Sequence, residues 1–448
     1  MQESRPKILI ISSADPTVGP GVLSANYYDA YKHQGYEVDL LTLNKCISRP
    51  EFLYVYNDGV RTRKSWQRLK HLFSCIKDIL WAICHNCQWR SKPGHSFFYH
   101  KEDRPPVPVS KVLSKITKRY DLIQILFWQG MLSFNTVREI YRKEKCFFIF
   151  NCVDYSPMSG GCHFTGDCQR YKAGCGCCPA FDSKDPHDFT WYNVQYRKKV
   201  YEEVNPLVTG NSYMFGFYDQ SVLLKNRQRI NSYPIIDLLA FRPMDRIQLH
   251  AKYGISEQKT FKILFGCQNI DDERKGIRYL IEAINVFLEH LTEAERSQVL
   301  VMAIGKNFNA IQQQLKDVDT RDFGFVSINE LPSIYALADV FLCPSVNDAG
   351  PMMVNQSLCC GTPVVGFEMG SCLDAVKDKG TGYCAPLRDS QGFAEGIEKI
   401  YRQTPEEREA MRNKCVEYAQ KTYSYEAAVK RMIDGYNKYS LQRKPHTV

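Results

Sequence analysis

Short runs of consecutive apolar residues recur along the chain and alternate with segments of helical spacing. In the first half these runs lie at 7–12, 36–43, 121–127 and 146–152, and a helical segment at 22–33 separates the first two. Continuous apolar runs are typical of strands buried on both faces of a parallel sheet. The order strand, glycine-containing turn, helix, strand predicts a βαβ unit and therefore a doubly wound α/β domain.

The same rhythm starts again in the second half and predicts a second parallel α/β domain. The predicted elements are strands at 260–266, 299–305, 323–326, 339–345 and 363–367, and helices from Ile277, at 331–338 and at 424–440. Between the two halves, Pro206 and Gly210 bracket a short segment. Because these residues interrupt regular structure, we expect the hinge near 205–210.

Length and charge add limits to this picture. The 448 residues suit two domains of about 200 residues each. No apolar run reaches the ~18 residues of a membrane-spanning helix, and the first residues contain no cleavage-site pattern. We therefore expect a cytoplasmic protein. The formal net charge of +9 permits attraction to anionic substrates or to a membrane surface without requiring either.

The candidate chemistry centres on residues 344–366, where a strand end, an acidic loop and a helix start follow one another. Asp348 and Gln356 lie eight residues apart, which places one at the loop tip and the other about two turns into the helix. Between them, the small side chains of Ala349-Gly350-Pro351 leave the backbone accessible where the helix begins. Free N–H groups and the positive dipole end of a helix suit a diphosphate. An ordinary polar loop of an α/β protein is the alternative interpretation.

Residues 339–366 resemble the donor-site signature of the group 1 (family 4) retaining glycosyltransferases, which have the GT-B fold. Asp348 stands at the family's first acidic position, and the run CGTPVV at 360–365 matches its ending. Gln356 stands where a second Glu is usual. In the family the first acid binds the donor sugar and the second holds the ribose. Gln356 accepts a hydrogen bond without the charge that would strengthen it.

A second segment, 269–276, resembles the family's diphosphate site, in which Arg-Lys-Gly opens the helix after the strand that ends near Gly266. Lys275 stands at the position that holds the donor diphosphate, whereas Cys267 and Gln268 stand where an Arg is often found. A solvated, charged helix start is the alternative. The resemblance implies a donor site formed by Gly19, Gly21, Gly266, Arg274, Lys275, Asp348, Gly350, Pro351, Met352, Met353 and Gln356.

The first half resembles the family at two further places. The turn at 18–21 corresponds to a glycine-rich loop that approaches the phosphates and the acceptor, and glycines let backbone N–H groups come close to phosphate. The run from Asp154 to His163 resembles a subgroup with a Gly-Gly-Cys-His sequence. The subgroup's His before the Asp, which approaches the transferred sugar, is Val153 here. The resemblance implies catalytic roles for Asp154, Lys275 and Asp348, while His163 has either a site or a structural role.

Four of the 18 cysteines, Cys162, Cys168, Cys175 and Cys178, have the spacing C-x5-C-x6-C-x2-C in a glycine-rich loop. Thiolates at such spacings are able to close a tetrahedral structural zinc site. Disulfides and simply buried thiols are the alternatives that the spacing leaves open. A catalytic metal is disfavoured because four sulfur ligands leave no open position. We expect no cofactor to be required for catalysis.

The break in the β-α rhythm at 60–118 contains a basic stretch with apolar residues at helical spacing, beginning near Trp66. Such a stretch either packs on the first domain with a solvated basic side or lies in a membrane interface. The absence of zinc-finger, helix-turn-helix and ribonucleoprotein patterns argues against nucleic-acid binding. The full G-x-G-x-x-G pattern is also absent, so nicotinamide binding is not supported.

The resemblance implies a fold of two Rossmann-like parallel-sheet domains that face a cleft. The domains would be 1–207, an acceptor-side domain with the cysteine-rich loop 152–180; 208–423, a donor domain; and 424–448, a helix and tail that cross back to the first domain. The implied activity is transfer of a hexose-type sugar from a nucleotide-sugar donor to a glycan or lipid-linked glycan, in surface polysaccharide biosynthesis at the inner face of the membrane. A non-catalytic nucleotide-sugar or glycan-binding protein is the alternative.

Overall fold

The computed structural model describes residues 5–57, 101–267 and 271–442, together with the single positions 76, 80, 91, 92, 95 and 97. The chain divides into two units. Unit 1 comprises Met1–Gly210, Met214–Ser232 and Val429–Val448, and unit 2 comprises Asn211–Tyr213 and Tyr233–Ala428. Most of the basic stretch after Val60, including Trp66, lies outside the described residues.

Unit 1 is built on a sheet to which the described chain contributes seven parallel strands, in the order β3-β2-β1-β4-β5-β6-β7. The strands are β1 (Ile8–Ser12), β2 (Val38–Asn44), β3 (Leu53–Tyr56), β4 (Leu122–Ile125), β5 (Phe147–Asn151), β6 (Leu207–Gly210) and β7 (Arg229–Asn231). The helices are α1 (Val22–His33), α2 (Val109–Leu113), α3 (Phe134–Glu144), α4 (Phe189–Val204) and α5 (Ser212–Tyr218). Strands β1, β4 and β5 are fully buried, which explains their continuous apolar runs.

Unit 2 repeats this architecture with six parallel strands of the described chain, in the order β10-β9-β8-β11-β12-β13. The strands are β8 (Phe261–Cys267), β9 (Val299–Gly305), β10 (Asp319–Asp322), β11 (Val340–Cys343), β12 (Val364–Phe367) and β13 (Gly382–Ala385). The helices are α6 (Arg246–Tyr253), α7 (Ile277–Glu289), α8 (Glu293–Arg296), α9 (Asn309–Gln312), α10 (Leu331–Leu337), α11 (Met352–Cys359), α12 (Ser371–Ala375), α13 (Ser390–Tyr401) and α14 (Pro405–Tyr423). Successive side chains of β8 point to opposite faces of the sheet, and each face has its own apolar core: Ile263 belongs to one core and Leu264 to the other.

The last helix, α15 (Tyr425–Ser440), returns the chain to unit 1 from Val429 onward. A Cβ atom added at Gly435 would lie 3.0 Å from side-chain atoms of Leu207 on β6 and Ile230 on β7. The helix backbone therefore packs directly on the sheet of unit 1. Its position agrees with the crossing helix that the sequence predicts at 424–440.

Two predictions from the sequence need correction. The segment 207–210 is not a hinge but strand β6, which is buried between β5 and β7, and unit 1 continues to Ser232. The strand expected at 323–326 lies instead at Asp319–Asp322. That strand is polar and mostly exposed because it forms the edge of its sheet, where one side lacks a neighbouring strand.

Within the described residues, no helix combines the length and the apolar character that are needed to cross a membrane.

Candidate active site

The candidate donor site lies at the carboxyl edge of the unit 2 sheet, where two neighbouring strands end. The strand order runs from β8 through β9 to β10 on one side and continues with β11 on the other. The point between β8 and β11 is thus a topological switch point, and ligands of such sheets bind in a crevice outside the carboxyl ends of the strands at this point. Residues 271–276 follow β8 and residues 344–351 follow β11. The two sequence segments that suggest a donor site therefore meet at the place where such sheets bind ligands.

The two loops interlock through their backbones. Val346 donates its N–H to the carbonyl of Arg274 at 2.8 Å. Gly276 has φ +66°, and a Cβ atom there would lie 2.0 Å from the carbonyl oxygen of Pro344. Glycine is needed at this position both for the left-handed conformation and for the close approach of the second loop. Gly276 thus fixes the position of Lys275 relative to the loop that contains Asp348.

Lys275 and Asp348 form the central ion pair of the site. Lys275 Nζ lies 2.7 Å from Asp348 Oδ2, and the two side chains are 26% and 13% exposed. Burial lowers the pKa of Lys275, but the charge and hydrogen bond of Asp348 more than offset this effect, so the pKa lies above its ordinary value. The other carboxylate oxygen, Asp348 Oδ1, accepts the N–H of Gly350 at 3.1 Å. The lysine is therefore a charged group held at the crevice.

Arg274 lies next to this pair, and Asp272 of the same loop sets the direction of its side chain. Its Nη2 lies 2.5 Å from Asp272 Oδ2, and its Nη1 donates to the carbonyl of Asn347 at 3.4 Å. Asp272 also accepts the backbone N–H of Arg274 at 3.1 Å and so caps the short turn at 273–275. Arg274 thus ties the β8 loop to the β11 loop, while Asp272 balances its charge.

Helix α11 starts at this edge, behind Gly350 and Pro351. Its N-terminal residue Met352 and the next residue, Met353, are half-buried, and no side chain caps this end of the helix. The N–H groups of an uncapped first turn are available to an anionic ligand. Gly266 on β8 lies against Met353, because a Cβ atom there would come within 2.5 Å of the Met353 Cε. Gly266 therefore makes room for Met353.

One turn deeper, Gln356 is positioned by a buried tyrosine. The hydroxyl of Tyr335, on α10, donates to Gln356 Oε1 at 3.3 Å. Tyr335 is fully buried, and its burial raises the pKa of its hydroxyl well above the ordinary value, so this hydroxyl remains a neutral donor. This hydrogen bond orients the Gln356 side chain.

Two residues that sequence reasoning did not single out support the same loop. Asn211 donates from Nδ2 to the carbonyl of Ala349 at 2.7 Å. Ser371 Oγ receives a hydrogen bond from Asn355 at 3.2 Å, and it would lie 3.1 Å from a Cβ atom at Gly350. Asn355 also donates to the carbonyl of Pro351 at 3.2 Å, so Asn211 and Asn355 hold the 349–351 backbone in place. Asn211 is far away in sequence and carries no motif, so only the folded chain reveals this contact.

Unit 1 has a second polar cluster at the carboxyl edge of its own sheet, built on Asp154. Asp154 is buried, and its Oδ1 accepts the N–H of Ser156 at 2.8 Å and its hydroxyl at 2.5 Å. Its Oδ2 lies 2.9 Å from His163 Nδ1 and accepts from Gln129 Nε2 at 3.2 Å. Gln129 lies in the loop after β4, so a polar residue in the loop that follows a buried strand was the signal that would have identified it.

The glycine turn after β1 contains two different kinds of glycine. Gly21 packs tightly, because a Cβ atom there would lie 1.9 Å from the carbonyl oxygen of Asp15. Gly19 has φ +52° and nothing within 4 Å of its Cβ position. Gly21 is thus needed to form the turn, whereas Gly19 leaves an open backbone surface.

The four cysteines of the glycine-rich loop are free thiols in unit 1. Burial raises the pKa of Cys175 and of Cys178 to about 12, and that of Cys162 well above its ordinary value, with the neighbouring thiols adding to each. Nevertheless, the described part of the chain contains no group of three His, Cys, Asp or Glu side chains that could hold a metal ion. The zinc site therefore stays a prediction from the spacing alone.

An apolar cluster packs against this loop. The rings of Phe97, Phe181 and Phe189 pack edge to face with centroids 4.8 to 5.6 Å apart. Gly161 lies against Phe97, which also forms an isolated antiparallel bridge with Cys162. This core accounts for the order of a loop whose own sequence contains few apolar residues.

Comparisons with known proteins agree with the geometry. Residues 247–422 match the family described as glycosyl transferases group 1. The chain is 23% identical over 195 residues to an N-acetyl-alpha-D-glucosaminyl L-malate synthase of Bacillus anthracis, covering 43% of this chain and 49% of that protein. It is 24% identical over 214 residues to a D-inositol 3-phosphate glycosyltransferase of Saccharomonospora viridis, covering 45% and 48%. The chain thus spans about half the length of these curated relatives.

Solved structures match over almost the whole chain. The sucrose-phosphate synthase of Thermosynechococcus elongatus has a TM-score of 0.65 at 17% identity, covering 98% of this chain and 100% of that one. The Anabaena protein HepE, solved with UDP, has a TM-score of 0.62 at 14% identity, covering 96% and 100%. Both likenesses concern the fold. The chain therefore has the GT-B fold, and its residues 247–422 are similar to the group 1 glycosyltransferases.

Proposed function

We propose that the protein is a retaining glycosyltransferase that moves a hexose-type sugar from a nucleotide-sugar donor to a glycan or lipid-linked glycan acceptor. The observation that carries this proposal is the Lys275–Asp348 pair at the switch point of unit 2, inside the region that matches the group 1 family. The relatives that are named as a synthase and as glycosyltransferases, and the structural neighbour solved with UDP, support a transferase that uses a sugar nucleotide.

In this proposal Lys275 binds the donor diphosphate. A diphosphate oxygen would take the place that Asp348 Oδ2 occupies at 2.7 Å from the lysine Nζ. As the bond between the sugar and the diphosphate breaks, negative charge grows on the departing phosphate. Lys275 and the N–H groups at the start of α11 would stabilise that charge, which is the usual electrostatic contribution to such a transfer.

Asp348 and Gln356 would then hold the two sugar rings of the donor. Once Lys275 binds phosphate, the carboxylate of Asp348 is released to accept hydrogen bonds from hydroxyl groups of the transferred hexose. Gln356, oriented by Tyr335, would bind the ribose. The acceptor hydroxyl attacks the anomeric carbon, and its proton passes to an oxygen of the departing diphosphate. The transferred sugar keeps its anomeric configuration.

For the biological setting we propose surface polysaccharide biosynthesis with a glycan or lipid-linked acceptor. Support comes from the group 1 match and from the basic stretch after Val60, whose charge suits a membrane surface or an anionic lipid-linked acceptor.

The experiment is a panel of nucleotide sugars that includes UDP and ADP derivatives of hexoses, measured for thermal stabilisation and for release of free nucleotide. We expect one donor to stabilise the protein and to be turned over, with retention of the anomeric configuration by NMR. Stabilisation without any hydrolysis or transfer would favour the alternative of a non-catalytic nucleotide-sugar or glycan-binding protein. If no donor stabilised the protein, the donor site itself would be refuted.

A further inference from the structure

Three cysteine side chains of unit 2 lie together beside the candidate donor site, and the proposed transfer gives them no role. Cys343 is the last residue of β11, and Cys384 lies on β13. Both are in register with Gly366 on β12, the strand between these two. A Cβ atom added at Gly366 would lie 2.5 Å from the Sγ of Cys372 and 3.6 Å from the Cβ of Cys343. The missing side chain of Gly366 thus leaves the space that the Cys372 thiol fills.

The three thiols are in contact with one another. The Cys372 thiol is hydrogen-bonded to the thiols of both Cys343 and Cys384. The Cys384 thiol also donates to the carbonyl of Cys372 at 3.4 Å. Cys343 and Cys372 are 4% and 0% exposed, whereas Cys384 is partly exposed. Cys384, Cys372 and Cys343 therefore form a thiol row that runs from a partly exposed position into the interior of unit 2.

The two buried thiols of this row differ in acidity. The hydrogen bond from Cys372 lowers the pKa of Cys343, which lies below its ordinary value despite burial. The N–H of Ser345 and the charge of Lys275 act in the same direction. Hydrogen bonds with Cys343 and Cys384, together with burial, raise the pKa of Cys372 well above its ordinary value. Cys343 is thus the better nucleophile of the two, because the thiolate is the form that attacks a disulfide bond.

The thiol row adjoins the donor loop, residues 344–351, at two places. Cys343 directly precedes this loop. The backbone two residues before Cys372 packs on it, because a Cβ atom added at Gly370 would lie 3.2 Å from the carbonyl oxygen of Asp348. A shift of Cys372 toward Cys343 would therefore move the backbone against which Asp348 packs.

We propose that the thiol row is an oxidation site for a hydroperoxide, in which a disulfide bond formed at Cys384 passes through Cys372 to Cys343 and weakens donor binding. The partly exposed thiol receives the oxidant, and the buried thiolate next to Lys275 ends the sequence. The effect on donor binding rests on the proposed function, whereas the oxidation itself depends only on the three thiols.

The oxidation proceeds in three steps. The Cys384 sulfur takes one oxygen of the hydroperoxide as the O–O bond breaks, which gives a sulfenic acid and releases water or an alcohol. The Cys372 sulfur displaces the hydroxyl group of this sulfenic acid, which leaves as water with the proton of the Cys372 thiol. The Cys343 thiolate then attacks the Cys372 sulfur, and the Cys384 thiolate departs and takes up a proton. In total, two thiols lose two electrons and two protons to the hydroperoxide.

The final disulfide bond would change the geometry of the donor loop. A disulfide holds its two sulfurs about 2.05 Å apart, which is closer than hydrogen-bonded thiols approach each other. The bond between Cys343 and Cys372 therefore draws the end of β11 and the start of α12 together, and it removes the thiolate beside Lys275. Because displacements of about 1 Å are costly at a precisely arranged site, we expect affinity for the nucleoside diphosphate to fall about tenfold or more.

The first test treats the full chain with hydrogen peroxide and maps its disulfides by alkylation and peptide mass spectrometry. In wild type we expect a disulfide between Cys343 and Cys372 that dithiothreitol reduces. Cys384→Ser should slow its formation, because the thiol that receives the oxidant is lost. Cys343→Ser should instead accumulate the disulfide between Cys372 and Cys384. If oxidised wild type contained no disulfide at Cys372, the inference would be overturned, and this result would not depend on the folding of any variant.

The second test follows the donor site by calorimetric titration with the nucleoside diphosphate of the donor that the panel identifies. Affinity of wild type should fall on oxidation and return on reduction, whereas that of Cys372→Ser should be the same before and after peroxide. Cys415→Ser removes another fully buried thiol of unit 2 and should respond to peroxide like wild type, which makes it the matched control.

The two tests separate this inference from the proposed function. Unchanged affinity in wild type that carries the disulfide between Cys343 and Cys372 would overturn the effect on donor binding. If reduced wild type bound no nucleoside diphosphate, the proposed function would fail. The disulfide map would still decide in that case whether the thiol row is an oxidation site.

Discussion

Lys275 donates a hydrogen bond to Asp348 at 2.7 Å, although 73 residues separate the two along the chain. In the proposed function a diphosphate would compete with this carboxylate for the lysine, so the pair would couple donor binding to the release of Asp348. The carboxylate keeps the lysine charged and in place. We therefore expect that removal of the Asp348 carboxylate has different effects on nucleoside diphosphate binding and on turnover of the nucleotide sugar.

The first prediction concerns Asp348→Asn. Removing the carboxylate takes away the group that competes with phosphate, so affinity for the free nucleoside diphosphate should stay equal or rise severalfold. Turnover of the nucleotide sugar should fall by about tenfold or more, since a charged hydrogen bond to the sugar is lost. Calorimetric titration and nucleotide release measure the two effects. Glu257→Gln, an exposed acid of the same unit, is the control. Loss of diphosphate affinity in Asp348→Asn would contradict the competition.

The second prediction concerns the close approach at Gly276. In Gly276→Ala the new Cβ atom would lie 2.0 Å from the carbonyl of Pro344, so the two loops must separate. Gly254 has a similar φ of +60° but nothing within 4 Å of its Cβ position. Gly254→Ala should therefore lower the free energy of unfolding only by the cost of the left-handed conformation, about 1–2 kcal/mol. Gly276→Ala should lower it further and also weaken diphosphate binding. Equal effects of the two substitutions in denaturant unfolding would show that the loops do not constrain each other.

The third prediction concerns the buried pair of Arg197 and Glu102. Arg197→Met leaves Glu102 buried without its charge partner, which should lower the free energy of unfolding by about 3–5 kcal/mol. The double variant Arg197→Met/Glu102→Gln should recover part of this loss, because neither charge is then left uncompensated. A double-mutant cycle by denaturant unfolding gives the interaction energy. Strictly additive effects would mean that the pair does not act as a unit.

The fourth prediction concerns acid stability and Asp339. This carboxylate is buried, which by itself raises its pKa, but Arg246 at 2.5 Å and Lys262 at 2.9 Å bring the pKa below its ordinary value. A carboxyl group with a lower pKa in the folded state stabilises the fold above its unfolded pKa of about 3.9 and loses that contribution as the pH falls further. The free energy of unfolding should therefore decrease below about pH 4 more steeply in wild type than in Asp339→Asn. If the free energies of unfolding of wild type and Asp339→Asn changed in parallel with pH, the contribution of Asp339 to acid stability would be refuted.

The sequence predicted the central strands well for a physical reason. Strands such as β5 and β11 are buried on both faces, so their apolar runs are continuous and easily recognised. The edge strand β10 is polar and was placed four residues too late, because an exposed edge imposes little apolar pattern. Strand β6 was taken for a hinge because Pro206 and Gly210 flank it, and its burial depends on two strands that are distant in sequence.

The sequence identified residues of the candidate site but not the contacts between them. Motif spacing identified Lys275 and Asp348, whereas their pairing depends on β8 and β11 being neighbours in the sheet. The contacts of Gln129 with Asp154 and of Asn211 with Ala349 join loops that no local pattern relates. Such long-range contacts are set by the register of the sheets, which a single sequence does not display.

The most direct test of the account is the affinity of Lys275→Met for the nucleoside diphosphate of the donor that the panel identifies, measured by calorimetric titration. Lys306→Met is the matched control, because Lys306 is an exposed lysine that follows the neighbouring strand β9. We predict that Lys275→Met weakens binding by about tenfold or more, in line with a lost charged hydrogen bond, while Lys306→Met binds like wild type. Wild-type affinity in Lys275→Met would contradict the assignment of the donor site to the edge between β8 and β11.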